Sequence, residues 1–238
     1  MNPTSTNLTF KSERTPMSSL RKTSLTAGAL YLLTFVSIPT LALYGAIHDP
    51  SYITGPGPDS AVIVGGIQEI IVALAGIATA VALYPVLKKQ SEGLALGLVA
   101  SRIVEAGTMF AGVAFLHAVV ALRQEGANAD AIITGHALST LYDRIFLLGQ
   151  GFMPAMNDLL LGLLLYHSRL VPRSLSLIGI IGAPVLIAGY LAVLFGFLEQ
   201  HAATTALFAI PVAVFEFTLG LWLLIKGFNP GSEIMRRG

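Results

Sequence analysis

Apolar residues run along most of this chain in long blocks with short polar interruptions. They show neither the strict alternation of a half-buried strand nor the single stripe of a soluble helix. A helix crossing a bilayer needs roughly 20 mostly apolar residues. Six blocks reach that length: Leu25–Ile47, Ala61–Val86, Leu94–Ala121, Ala137–Tyr166, Leu175–Leu198 and Thr204–Ile225. Several exceed the minimum, which predicts tilted, kinked or protruding helices. The first is longer than a signal-peptide core and is expected to be an uncleaved span. Gly55-Pro56-Gly57-Pro58, after the first block, cannot continue a helix. Residues 1–24 are rich in Ser and Thr and read as a flexible tail. Residues 25–228 read as one membrane domain and 229–238 as a short C-terminal tail. The pattern predicts an all-α integral membrane bundle of six transmembrane helices.

Composition excludes the soluble alternative. Of 238 residues, 54% are hydrophobic and only 11% charged, with a mean hydropathy of +0.75; soluble domains carry about 25% charged residues. Cysteine is absent, which removes disulfides, thiolate metal sites and cysteine nucleophiles. A net charge of +1 makes no case for a nucleic-acid partner. The placement of charge is more informative. Lys11, Arg14, Arg21, Lys22, Lys88, Lys89, Arg169, Arg173, Lys226, Arg236 and Arg237 all fall on one side of the six-span scheme, and only Arg123 on the other. Cytoplasmic segments carry the excess of lysine and arginine, so both termini are expected in the cytoplasm.

Seven ionisable residues fall inside spans: Glu69, Arg102, Glu105, Asp143, Arg144, Asp158 and Glu216. Each costs at least about 2.5–3.5 kcal/mol at a helix centre, so such groups face the bundle interior, find partners and are functional candidates. At about 100° per residue, Asp143, Gln150, Pro154, Asn157 and Asp158 share one face of the fourth span. Arg102 and Glu105, three apart, can pair within one helix. Depth along the spans predicts an outer group of Glu69, Asp143 and Arg144 and an inner group of Arg102, Glu105 and Asp158. Glu216 can join either. The five acids outnumber the two arginines by three. That excess suits a proton, a cation or a cationic small-molecule ligand; the bland alternative is a set of neutral carboxyls that only staple helices together. Pro39, Pro154, Pro184 and Pro211 each interrupt a span.

His48, His117, His136 and His201 fall toward the outer side, where gathered imidazoles can bind a metal or haem. The bland alternative is interfacial histidines, and it is the better one because none has metal-ligand spacing such as HExxH. No metal and no cofactor is therefore expected. No nucleophile elbow, phosphate loop or dinucleotide fingerprint occurs, so catalytic residues are not assigned. Gly93 and Gly97 form a G-x-x-x-G pair suited to helix packing, and Tyr166 and Trp222 read as interfacial anchors.

Several short motifs recur together: Gln68-Glu69, Arg102-x-x-Glu105, Leu148-Gly149-Gln150, Leu170-Val171-Pro172-Arg173, and the closing run from Glu216 through Gly220-Leu221-Trp222-Leu223 to Lys226-Gly227-Phe228-Asn229. Over roughly residues 20–230 the chain resembles the bacterial multi-pass membrane family grouped as domain of unknown function 4386. The resemblance implies a protein of the bacterial cytoplasmic membrane and carries no activity with it. Three function classes stay open on the sequence: a carrier or small-ligand-binding protein using intramembrane carboxylates, a membrane-embedded enzyme acting on a lipid-like substrate, and a non-catalytic membrane partner. All three have the lipid bilayer as partner.

Overall fold

Backbone polar groups have no water to bond in hydrocarbon, so a spanning chain must satisfy them within helices or a closed barrel. The computed structural model takes the helical solution. It describes residues 18–49, 51–126 and 128–236, and among these no strand occurs. Six helical segments are long and apolar enough to cross a membrane: Ser19–His48, Asp59–Leu87, Glu92–Glu125, Ala129–Ser168, Arg173–Leu194 and Ala203–Ile225. The chain is a multi-pass membrane protein.

The first crossing consists of α1 (Ser19–Thr34), a 3-10 turn Phe35–Ser37, the short α2 (Thr40–Tyr44) and a second 3-10 turn Gly45–His48. The break falls at Pro39, which cannot donate a backbone hydrogen bond. The helix begins six residues before the predicted Leu25, because Ser18 Oγ caps it by accepting from Arg21 N. Arg21 then donates to the carbonyls of Leu223 and Leu224 at 3.2 and 2.6 Å, so the predicted tail boundary at residue 24 lies inside helix. Residues 1–17 of that tail lie outside the described residues.

The second and third crossings are α3 (Asp59–Leu87) and α4 (Glu92–Glu125). The fourth comprises α5 (Ala129–Phe146), a π-helical segment Leu147–Phe152 and α6 (Met153–Ser168). The fifth is α7 (Arg173–Leu194), which carries Pro184 without interruption, contrary to the expected break. The sixth runs through α8 (Ala203–Ala206), a 3-10 turn Leu207–Ala209 and α9 (Ile210–Ile225), with Pro211 in the tolerated first turn. A terminal turn, α10, spans Glu233–Arg236.

Each crossing packs against its neighbours in sequence, and α1 closes the ring against α9. That last contact depends on two glycines. A Cβ at Gly28 would stand 2.8 Å from the Gly220 carbonyl, and one at Gly220 would stand 2.9 Å from Leu32 Cδ2. Small residues permit such close approach where lipid supplies no hydrophobic drive. The Gly93/Gly97 pair has no such role: Gly93 faces open space, and a Cβ at Gly97 would meet only the tip of Leu160.

The half of the ring nearest the termini is filled by leucines, including Leu83, Leu87, Leu98, Leu161, Leu165 and Leu219, with Phe215. Residues 229–236 are no free tail. Asn229 N donates to the Leu170 carbonyl at 2.8 Å and Ile234 is buried in the same core. The two motifs Leu170–Arg173 and Lys226–Asn229, 53 residues apart in the chain by their nearest members, thus meet at one end of the bundle. At the opposite end Arg123 donates through Nε and Nη2 to Asp59 and through Nη1 to the Gly55 carbonyl. This clamps the Gly-Pro connection that leads from the first crossing into α3 against the far end of α4.

Candidate functional site

The inner site assembles because three helices run different ways but are met at the same distance from their common end. At about 1.5 Å per residue, Arg102 and Glu105 lie about 15 and 20 Å along α4, Asp158 about 15 Å from the end of α6, and Glu216 about 14 Å from the end of α9. Arg102 Nη1 donates to Glu105 Oε2 at 2.9 Å within α4, and Nη2 donates across the bundle to Glu216 Oε1 at 2.6 Å. The guanidinium also lies 5.8 Å from the Tyr31 ring centre. Asn157 Nδ2 donates to Glu105 Oε2 at 2.8 Å. Glu216 therefore belongs to the inner group.

Asp158 is completely buried, and neither carboxyl oxygen has a hydrogen-bond partner among the described residues. It lies within electrostatic reach of Arg102, Glu105 and Glu216. The cluster thus holds three carboxyls and one guanidinium, two acids more than the arginine can balance. Ionised carboxylates without a counter-charge are strongly disfavoured in an apolar interior and are neutralised instead. A proton or a cation completes this arrangement chemically.

The predicted outer group divides into three. Glu69 Oε1 accepts from Gln150 Nε2 at 3.1 Å and from the Tyr142 hydroxyl at 3.3 Å, while Oε2 stays unpartnered. Asp143 turns away from Glu69: its Oδ1 stands 3.0 Å from His48 Nε2 and 3.3 Å from His201 Nε2. Arg144 is exposed and joins neither. Consecutive residues on a helix point about 100° apart, so Asp143 and Arg144 cannot share the interior.

Two cavities adjoin one another beside these groups. The inner, of about 220 Å³, is lined by Arg102, Glu105 and Glu216 together with apolar side chains such as Val72, Met109 and Val212. The outer, of about 570 Å³, is bounded by His48, Tyr142, Tyr190, Gln200, His201 and Phe208 among others. Gln150, Leu186 and Ala209 line both. Gln150 is presented by the π segment, which sits just before Pro154 in the first turn of α6. A proline there lacks the amide of an ordinary helical turn and clashes with the carbonyl four residues back. π-bulges recur at functional sites.

Sequence reasoning named all four members of the inner cluster. It missed Tyr142 as a partner of Glu69, and it missed the convergence of His48 and His201 on Asp143. Those three residues are separated by 95 and 58 positions, so no local spacing could have announced them.

No curated protein and no solved structure matches this chain. The family model described as domain of unknown function (DUF4386) matches residues 26–227, nearly the whole six-helix bundle with both ends of the inner cluster inside it, and the chain belongs to that family.

Proposed function

We propose that the protein is a carrier or small-ligand-binding protein of the bacterial cytoplasmic membrane, with both termini in the cytoplasm, and that its inner carboxyls take a proton or a small cation from the outer side. The observation that carries this reading is the cavity lined by Arg102, Glu105 and Glu216, which shares Gln150, Leu186 and Ala209 with the larger outer cavity. Toward the termini the same cluster is backed by buried leucines, which supports entry from the outer side. The eleven-to-one distribution of lysine and arginine supports the orientation.

The surplus of acid sets the ligand's sign. Glu105 Oε2 and Glu216 Oε1 are occupied by the guanidinium, which leaves the second oxygen of each to receive positive charge, with the buried Asp158 adding acid behind the cavity wall. The mixed lining of one acidic wall and several apolar ones fits a small ammonium-type cation better than a hydrated metal ion, which would need several oxygen ligands. Purified protein in detergent, titrated with methylammonium and with tetramethylammonium chloride against a sodium chloride control, tests the reading by thermal melting. A rise in melting temperature that Glu216→Gln abolishes is expected. Identical melting in all three salts, together with no proton uptake by reconstituted vesicles under an imposed potential, refutes it.

A further inference from the structure

We propose that His48, Asp143 and His201 form a binding site for a divalent transition metal of the zinc type, set at the mouth of the outer cavity with a coordination position open to it. The three residues come from separate elements: His48 ends the 3-10 turn that closes the first crossing, Asp143 lies on α5, and His201 follows α7. Their ligand atoms all lie within 4.8 Å of one another. Two imidazole Nε2 atoms approach the same Asp143 Oδ1 at 3.0 and 3.3 Å.

Those separations suit a shared ion. Zinc–nitrogen and zinc–oxygen bonds of about 2.0–2.1 Å at tetrahedral angles place neighbouring ligand atoms about 3.3–3.4 Å apart. The two nitrogen–oxygen separations are near that edge, and the third edge can contract because the His201 side chain is half exposed. The His48 and His201 rings are tilted by 60° with centres 5.2 Å apart, so they converge by their edges and are not stacked face to face. A set of two imidazoles and one carboxylate selects zinc, cobalt, nickel or ferrous iron over calcium or magnesium, which prefer all-oxygen shells.

A fixed frame surrounds the cluster. Gln200, adjacent to His201 in the chain, donates through Nε2 to the Asp143 carbonyl at 2.9 Å and ties the segment bearing one ligand to the helix bearing another. That bond is made to the backbone of Asp143, so it fixes the two ligand-bearing segments against each other and leaves the carboxylate free. Both histidines line the 570 Å³ cavity. Three protein ligands with a free face toward a cavity is the pattern of metal sites that bind an exchangeable water or substrate, whereas structural zinc sites close with four protein ligands.

The site is about 22 Å further along the bundle than the inner carboxyls, counting fifteen residues from Asp158 to Asp143 at about 1.5 Å each. It stands independently of the ammonium reading, and either can fail alone. The test uses the full chain purified without a polyhistidine tag, stripped with chelator and titrated with Co²⁺ and then Zn²⁺. We expect one equivalent of Co²⁺ to give the intense visible bands of four- or five-coordinate cobalt, and Zn²⁺ to displace it. Asp143→Asn and His201→Ala each weaken Zn²⁺ binding at least about tenfold, while His136→Ala, on the exposed face of α5, leaves it unchanged. Absence of stoichiometric cobalt bands in the parent protein overturns the proposal whatever the variants do. So does zinc affinity that survives the double change His48→Ala/His201→Ala.

Discussion

Replacing Arg102 by methionine removes the one cation from a cluster of three acids while keeping most of the side chain's volume. The loss is larger than that of two hydrogen bonds. Arg102 joins Glu105 on α4 to Glu216 on α9, and without it those carboxyls and Asp158 face one another with no counter-charge. Breaking a buried pair by removing one partner costs about 3–5 kcal/mol. The Glu216 side chain keeps 15% of its exposure and borders a cavity, so the lower end, about 3 kcal/mol, applies. The acid is the source of the penalty, so Arg102→Met/Glu216→Gln should recover part of the loss. Groups in one network show coupling of about 0.5–3 kcal/mol in double-mutant cycles, and here the sign must favour the double variant. Reversible unfolding in mixed detergent micelles, followed by circular dichroism for the parent, both single variants and the pair, measures it. A neutral Arg102→Met, or a double variant whose loss is the simple sum of the two, refutes the charge argument and leaves the cluster as ordinary packing.

Three further outcomes follow from other parts of the structure. A Cβ at Gly149 would collide with the Thr108 side chain on α4, so Gly149→Ala should cost about 1–3 kcal/mol by overpacking, with recovery in Gly149→Ala/Thr108→Gly measured in the same micelle assay. Burial first, then the hydrogen bond donated to Asp59, pushes the Tyr52 phenol up to about 12. Its raised value stabilises the fold below about pH 10 and that contribution is lost as pH rises through 12; the tyrosinate absorbance step that Tyr52→Phe removes should therefore lie near pH 12 in the parent, and finding that step near pH 10 would contradict the buried contact. The absence of native cysteine makes topology directly readable. Thr54→Cys should react with an impermeant maleimide on intact cells and Gly93→Cys only after lysis, and the reverse pattern would invert the orientation.

The six crossings were legible because their signal is cumulative: about twenty apolar residues leave a bilayer span as the only economical fate. Boundaries were harder. Ser18 and Arg21 start the first helix early through a cap and two carbonyl contacts, and hydropathy does not register either. The Arg102–Glu105 pair was visible because helical spacing is local, whereas depth left Glu216 open to either group and only the packing of α9 against the bundle assigns it to Arg102. Asp143 was misgrouped because depth fixes height and leaves direction open. Asp143 and Glu69 were both expected in the outer half, yet Asp143 points to His48 and His201 while Glu69 meets Tyr142 and Gln150. The histidine convergence was hidden for a different reason: it requires knowing that α1 closes against α9, which brings the loop after α7 beside the end of the first crossing.

The π segment explains why the polar groups of the fourth crossing form a path when an uninterrupted α-helix would have given a single stripe. Asp143 and Asp158 are fifteen residues apart, about 22 Å of helix, and at about 100° per residue an unbroken helix would point Asp143 and Gln150 the same way, whereas Asp143 meets His48 and His201 and Gln150 meets Glu69. Pro154 removes one backbone amide from that ladder and Gly149 and Gly151 let the chain widen beside Thr108 and Tyr190. The wider turn delivers Gln150 to Glu69 and makes it the polar side chain common to the two cavities. Gln150 can both donate and accept, so it can pass a hydrogen bond between Glu69 and whatever occupies either cavity. Gln150→Leu keeps the bulk and removes that ability, separating a path that needs polar continuity from two cavities that merely adjoin.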